Sequence, residues 1–486
     1  MSKKFYLTTA IAYVNAPPHM GHVLQFVRAD VLARYYRLKN NDVFFLTGAD
    51  EYGSKIYKTA QKEKISPQEL VDKNAAKFKA IDELLNISYS DFVRTTDGKK
   101  HWPGARLIWK KLKEKGDLYK DKYEGYYCSG CEAYLTEKEL IDGKCVYHNV
   151  EPEFLKEENY FFRLSKYSDK LLKLIKNNKI EIIPASRGKE ALNIIKEGLR
   201  DVSFSRPKEI LPWGIPIPGD DKQVMYVWCD ALTNYVSGLG YGGKDLKKFK
   251  KYWPADLHII GKDNLRFHAI YWPAMLLSAG LPLPKKIYVH GFITSGGQKM
   301  SKSLGNVIDP FEIVKKYSAD SLRYFLLREI PAYEDGDFTE QKFRERYNGE
   351  LANGLGNFCA RVLTLASKTK IKANSRGIDK SINKKIKDTE KLIDKNLTEF
   401  KFNEALTAIW DLISFGDKYI NQNKPWEKGD KRKEVKNKKT IVNLIAILGN
   451  VAEFLKPFLP ETSEKISKSI KKPQKKSDIL FPRLVD

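Results

Sequence analysis

Long hydrophobic runs are missing from this chain. Across 486 residues no apolar stretch reaches the length that crosses a bilayer, so no helical membrane span and no membrane partner are expected. The start, "MSKKFYLTTAIAYVN", holds only a short apolar run. It lacks a small-residue cleavage site and passes quickly into polar and proline residues, so it reads as a core strand rather than a signal peptide. The expected location is the cytoplasm, where a structural disulfide among the five cysteines is disfavoured. Acidic residues are in deficit: 61 Asp and Glu face 86 Lys and Arg, a formal net charge of +25. A surface that basic attracts polyanions through counterion release, with nucleic acid the usual partner, although lysines spread over every solvated face would give the same count. Internal repeats and low-complexity segments are also absent.

What remains is an ordinary soluble composition, 42% hydrophobic and 30% charged, in a chain long enough for two to four domains. The first stretch alternates apolar runs and helical periodicity: "FYLTTAIAYV", then a helix carrying Leu24, Val27, Val31, Tyr35 and Leu38, then "DVFFLTGADE", then "SPQELVDKNAAKFKAIDELL". Strand–helix alternation of this kind predicts a parallel, doubly wound sheet. Between Lys115 and Gly125 the pattern changes to short aromatic strands and turns. Alternation resumes at "QVMYVWCDAL", "LHIIGKDNLRFHAIYWPAMLLSAG" and "KIYVHGFITSGG", and from about Asp309 onward everything reads as helix.

In "NAPPHMGHVLQF", His19 and His22 stand where a strand ends and a helix begins. Helix starts favour anions and disfavour cations, so two imidazoles there call for an explanation. A helix start after the first strand of such a sheet is an anion site; imidazoles can donate to a bound anion, and Gly21 lets a flat group approach the backbone. So short a motif is by itself as consistent with chance or a metal pair. "GGQKMSKSLGN" places Lys299 and Lys302 among small residues and hydroxyls just after a strand, which suits a polyphosphate that must be gripped and released.

In this order on this fold, His19-Met20-Gly21-His22 resembles the HIGH signature and Lys299-Met300-Ser301-Lys302-Ser303 the KMSKS loop of class I aminoacyl-tRNA synthetases. The remaining segments resemble the methionyl-tRNA synthetase family over nearly the whole chain. The resemblance implies a Rossmann-type catalytic domain in two halves, 1–115 and 225–308, around an insertion at 116–224. A connector at 309–350 and an all-α anticodon-binding bundle at 351–486 would follow. It implies ATP, with accompanying Mg²⁺, at Gly21, Met300, Ser301 and Ser303 as well as the two histidines and two lysines. Ala10, Ile11, Tyr13, Trp228, Ala231, Tyr235, His268 and Trp272 would line a methionine pocket, Asp50 would hold the substrate ammonium, and Arg200 would lie near the active site. A thioether is polarizable and a weak acceptor, best met by aromatic walls and one donor, which Tyr13 or His268 could supply. Asn264 and Leu232 depart from the family pattern beside Asp263 and after "WCDA".

Cys128 and Cys131 form a CxxC, and Cys145 and His148 a CxxH, in "YYCSGCEAYL" and "DGKCVYHNV". Paired knuckles suit one structural, tetrahedral Zn²⁺ per chain. The stretch from Lys115 to Gln223 is too short to hold a hydrolytic editing site as well as a zinc module. Near the other end Asn353, Asn357 and Arg361 fall at i, i+4 and i+8 on one helix face, with Leu355, Phe358 and Val362 turned away to bury. Pro425-Trp426 adds a ring among lysines. Rings with amide and guanidinium donors are how proteins read unstacked bases; the resemblance assigns these four residues to the CAU anticodon of methionine tRNA. The expected partners are therefore tRNA, L-methionine and ATP, and an end at "FPRLVD" without an added dimerising domain points to a monomer. A ligase for cysteine or leucine, and a non-catalytic tRNA-binding relative, are the rival readings.

Overall fold

The computed structural model describes residues 3–128, 133–135, 140–146, 149–300, 306–369, 377–471 and 480–484. The chain divides into two compact units: Met1–Pro18, Tyr36–Ile81 and Ser88–His290 in the first, His19–Tyr35, Asp82–Ile87 and Gly291–Asp486 in the second. His19–Tyr35, expected within the first half of a catalytic domain, thus groups with the C-terminal unit.

The first unit is built on a seven-stranded sheet. Its strands are β1 (Lys4–Thr9), β2 (Ala12–Tyr13), β3 (Asp42–Asp50) and β4 (Asp91–Arg94). After β5 (Leu118–Cys128) and β6 (Glu153–Phe162), which lie outside it, β7 (Glu181–Ile183), β8 (Leu257–Gly261) and β9 (Lys286–His290) complete it. Every pairing within it is parallel, as the near-continuous apolar runs predict for strands buried on both faces. From β1 the sheet runs out through β3 to β4, then returns on the other edge of β1 to β8 and β9. The order reverses between β1 and β8, so the ligand crevice of such a sheet opens beyond the C-terminal ends of those two strands.

"FYLTTAIAYV" is not one strand. β1 ends at Thr9; Ala10 still donates its N–H to the Ile259 carbonyl (3.0 Å), and after Ile11 the chain shifts to pair Ala12 with Ala49 and Tyr13 with Asp50. The break falls at the crevice. Gly48 on β3 lies beneath it, where a Cβ would stand 2.2 Å from the Val93 carbonyl oxygen and 3.1 Å from the Ile11 side chain.

β5 and β6 form a long antiparallel ladder from Leu118–Phe162 to Tyr127–Glu153 that carries the insertion. The first half of "QVMYVW" lies in a separate small sheet: Asp220–Met225 pairs antiparallel with Ser205–Pro207, not with the parallel sheet, and the chain turns helical at Trp228.

The second unit takes in most of α1 (Met20–Leu38) and is otherwise largely helical, as expected. One exception is Gly336–Asp337, which pairs with Ile293–Ser295. α2 (Pro67–Leu84), which lies in the first unit up to Ile81, starts with a reciprocal cap: Ser66 N–H donates to the Glu69 carboxylate (2.9 Å) and Glu69 N–H to Ser66 Oγ (3.1 Å). Among the described residues no helix is long and apolar enough to cross a membrane.

Gly48→Ala is expected to destabilise the first unit by about 1–3 kcal/mol, because the β4 carbonyl in its way is backbone and cannot rotate aside. A lowered melting temperature measures this.

Candidate active site

The crevice of the first unit is walled by aromatic side chains. α3 (Trp228–Ser237) sends Trp228, Ala231 and Tyr235 to one face, since they recur at helical spacing. The Trp228 ring stacks on Phe267 at 3.4 Å and 12°. A stretch wound wider than an α-helix, Phe267–Tyr271, places His268 ahead of α4 (Trp272–Ala279), whose first ring lies 5.8 Å from Tyr235. Tyr235, His268 and Trp272 are buried, as are Ala10, Ala231 and Asp50; Ile11, Tyr13 and Trp228 remain partly open. Tyr13 is the strand partner of Asp50. Burial first, and the Asp50 charge after it, push the Tyr235 phenol up, so Asp50 faces this cluster.

Hydrogen bonds fix the state of His268. Its Nδ1 lies 2.9 Å from the Asn264 carbonyl, which can only accept, so Nδ1 carries the proton. Burial brings the imidazole down to about 4, so the ring is neutral and its Nε2 is an acceptor. Tyr235 fills it, donating its hydroxyl proton at 2.6 Å. This tautomer removes His268 from the two donors expected for a thioether and leaves Tyr13. Asn264, one of the departures from the family pattern, serves here through its backbone. Leu232 is buried on α3, and burial pushes the Cys229 thiol well up, consistent with no nucleophilic role.

The imidazole pair, in the second unit, resolves the problem of its position. His22 Nδ1 accepts from the His19 N–H (3.3 Å), and His19 Nδ1 accepts from the Gly21 N–H (3.1 Å). The rings stack at 3.8 Å and 28°. Burial and the neighbouring ring hold the His22 pKa well below the usual histidine value. Both rings therefore place their protons on Nε2. A side chain at Gly21 would meet the His19 ring at 3.0 Å, so glycine is needed there.

The KMSKS segment begins as a hairpin: Ile293–Ser295 pairs with Gln298–Lys299 across Gly296 and Gly297, both with positive φ (61° and 77°). Asp337 holds that turn, accepting from the Gly297 N–H and Thr294 Oγ1, each at 2.9 Å. Met300 is partly buried; Ser301, Lys302 and Ser303 lie outside the described residues, and of Lys299 only the backbone is described.

Arg200 is exposed on the loop after a helix, and no described contact brings it to the aromatic cluster. The arginine that this segment buries is Arg206. Its guanidinium lies 3.8 Å over the Tyr226 ring, two residues before Trp228, and donates to Ser203 Oγ and the Ser205 carbonyl (both 2.7 Å). Glu157 lies 3.5 Å from its Nε. The alternation in "SFSRP" was the available signal, with the arginine flanked by residues of a buried strand.

In the bundle, Asn353 and Asn357 are exposed and Arg361 partly so, while Leu355, Phe358 and Val362 are buried as expected. Asn353 lies in a wide helical stretch, Tyr347–Gly356, into which Trp410 inserts by donating its indole N–H to the Glu350 carbonyl (3.1 Å). Arg361 is held by Asp417 (2.8 Å) and Asn421 (2.6 Å), and the Trp426 side chain is 54% exposed. In the insertion, Cys128 and Cys145 are buried in one small cluster with Leu135; Cys131 and His148 lie outside the described residues.

Comparison with known proteins matches this arrangement from end to end. The family described as "tRNA synthetases class I (M)" matches residues 5–145 and 131–363, and "Anticodon-binding domain of tRNA ligase" matches 379–483. Methionine–tRNA ligase of Clostridium acetobutylicum is 44% identical over 472 residues, 96% of this chain and 73% of that protein. Its Brucella melitensis counterpart is 43% identical over 474 residues, 96% of this chain and 91% of that one. The fold superposes on Mycobacterium tuberculosis methionyl-tRNA synthetase in complex with methionyl-adenylate with a TM-score of 0.92, at 36% identity, over 99% of this chain and 100% of that one. Similarity this continuous, over both the synthetase and the anticodon-binding families, means that the chain belongs to the methionine–tRNA ligases, the class I synthetases that form methionyl-tRNA.

Proposed function

We propose that the chain forms methionyl-tRNA in two steps with the groups above in distinct roles. A methionine carboxylate oxygen attacks the α-phosphorus of ATP, giving methionyl-adenylate and pyrophosphate. A hydroxyl of the 3′-terminal ribose of methionine tRNA then attacks the activated carbonyl, and AMP leaves. His19 and His22 donate from Nε2–H to the phosphate in the transition state, while Lys299 and Lys302 hold the departing pyrophosphate. Gly21, Met300, Ser301 and Ser303 belong to the same nucleotide site. Positioning and charge stabilisation carry the first step; no nucleophilic side chain is needed. The pinned, neutral imidazole pair is the observation that carries this reading: it supplies donors at a helix start without placing a cation there.

Asp50 takes the methionine ammonium, and Trp228, Ala231, Tyr235, His268 and Trp272 enclose the side chain with Ala10, Ile11 and Tyr13. Arg206, rather than the exposed Arg200, supports this wall from behind. Mg²⁺ arrives with the ATP phosphates. Cys128 and Cys145, buried together, suit two of the three thiolates of a structural Zn²⁺ site that Cys131 and His148 would complete. Asn353, Asn357, Arg361 and Trp426 read the anticodon. The enzyme acts as a cytoplasmic monomer.

Methionine-dependent pyrophosphate exchange, run across the amino acids, tests the assignment; exchange supported by leucine or cysteine and not by methionine would overturn it. His22→Asn is expected to lower kcat in that assay by about 10²–10³-fold with the KM for methionine unchanged.

The His268 tautomer predicts the pH dependence of the pocket. Because the folded-state value is about 4 against an ordinary 6.5, KM for methionine should show no inflection near 6.5 and climb only as the pH approaches 4. Over that interval the fold itself loses stability, since the unfolded chain takes up the proton first. An inflection at 6.5 in KM would refute the tautomer.

Trp426→Ala is expected to raise KM for tRNA by about 5- to 150-fold, the worth of one base–aromatic stack, while pyrophosphate exchange is unaffected. Comparing the two assays on the same preparation separates these effects.

A further inference from the structure

α1, which begins at the imidazole pair, is buried on all sides between Val23 and Ala33, and the buried residues include Arg28 and Asp30. Fully enclosed charges of this kind need partners. Arg28 donates to the carbonyls of Ile330 (3.0 Å), Pro331 (2.7 Å) and Ala332 (3.2 Å), all just past α5 (Ala319–Arg328). Asp30 accepts from Arg34 (2.8 Å) and from Arg323 on α5 (2.7 Å). Arg323 is itself completely buried. Its Nε donates to the Phe458 carbonyl (2.8 Å), Nη1 to Leu85 (3.1 Å) and Nη2 to Pro457 (3.0 Å).

Pro457 and Phe458 form the turn between two helices of the bundle, Lys431–Leu455 and Pro460–Lys471. A neighbour of Arg323 grips the second of these from below: Asp320 accepts from the Thr462 N–H at 2.6 Å. Asp82 is also enclosed, and burial, with the Asp30 charge after it, pushes its carboxyl well up; the carboxylate that meets the arginines is that of Asp30. One guanidinium thus fixes α1 and the last turn of the bundle. His22 lies eight residues from Asp30 on the same helix, about 12 Å along its axis.

We propose that Arg323, through Asp30, is a positioning residue for the reaction: it sets the placement of α1, and so of the imidazole pair, against the turn joining the bundle's last two helices. The proposal rests on the reading that His22 acts on the phosphate of ATP. Arg323→Lys keeps the charge, but a single ammonium cannot reach Asp30, Leu85, Pro457 and Phe458 together.

The test is methionine-dependent pyrophosphate exchange with the full chain, at a temperature where circular dichroism shows each variant folded. Arg323→Lys is expected to lose about 10- to 100-fold in kcat, the scale of a small misplacement of reacting groups, with KM for methionine unchanged. Asp30→Asn, which removes the same ion pair with little change of shape, should show the same loss, and it carries the test alone where Arg323→Lys does not fold. The double variant should be no worse than the poorer single one. Leu444→Ala, a core truncation elsewhere in the bundle, should lower the melting temperature and spare kcat. Unchanged kcat in Arg323→Lys or Asp30→Asn overturns the proposal, as does an equal kcat loss in Leu444→Ala. If His22→Asn were fully active, the reading beneath the proposal would fall instead, and the two failures are told apart on one plate.

Discussion

At the start of α1, imidazole nitrogen takes the backbone N–H groups of His19, just before the helix, and Gly21, in its first turn, while those of His22 and Val23 go to the His19 carbonyl. A helix start normally offers such amides to an anion. Here His19 and Gly21 spend theirs on the Nδ1 atoms of His22 and His19, and each ring in turn presents its proton at Nε2. The donor is carried outward by the width of a ring, and a hydrogen bond accepted on one side of an imidazole polarises the bond donated on the other. The positive end of the helix is thereby extended rather than opposed. A lysine or a permanently charged histidine at the same place would repel that end; an aspartate would fill it and repel a phosphate.

The same logic, with the opposite sign, governs the aromatic crevice. His268 meets a carbonyl at Nδ1 where His19 and His22 meet amides, so its proton sits on Nδ1 and its Nε2 accepts. Both arrangements require neutral rings, and burial favours that state for His22 and His268. In these three histidines the backbone partner of Nδ1 decides whether Nε2 gives or takes a hydrogen bond. Such a choice costs nothing in composition and leaves no mark in a sequence motif.

That is why the two sites differ in how much of them could be read beforehand. The doubly wound sheet was legible because parallel strands buried on both faces must be apolar throughout, and "DVFFLTGADE" is β3 almost residue for residue. "QVMYVW" was apolar for a different reason, as part of a small antiparallel sheet, and only pairing partners distinguish the two cases. The aromatic walls were legible as motif positions, but the His268 donor role was not, since it depends on a carbonyl four residues back. Arg200 and Arg206 look alike in sequence; the surrounding fold leaves one in solvent and puts the other over Tyr226. In α1 the periodicity of Leu24, Val27, Val31 and Tyr35 marked a helix correctly, while Leu38 is 48% exposed and Arg28 and Asp30 are enclosed. Charged residues on a helix are ordinarily its wet face, and nothing local says otherwise.

Those enclosed charges are hard to justify by stability alone. Buried ion pairs replaced by well-packed apolar residues often leave a protein as stable or more so, because desolvation offsets most of the attraction. What leucine or methionine cannot provide is register. An apolar face tolerates sliding and rotation of a helix by fractions of a turn, whereas the guanidiniums of Arg28 and Arg323 must find carbonyls at Ile330, Pro331, Pro457 and Phe458 within hydrogen-bond reach. A helix whose first turn carries two stacked imidazoles can afford little rotation, since the direction of each Nε2–H turns with it. On the proposed reading of the imidazole pair, the buried ions of α1 and the rings at its start serve one requirement: the donors must be uncharged, and the helix that aims them must not move.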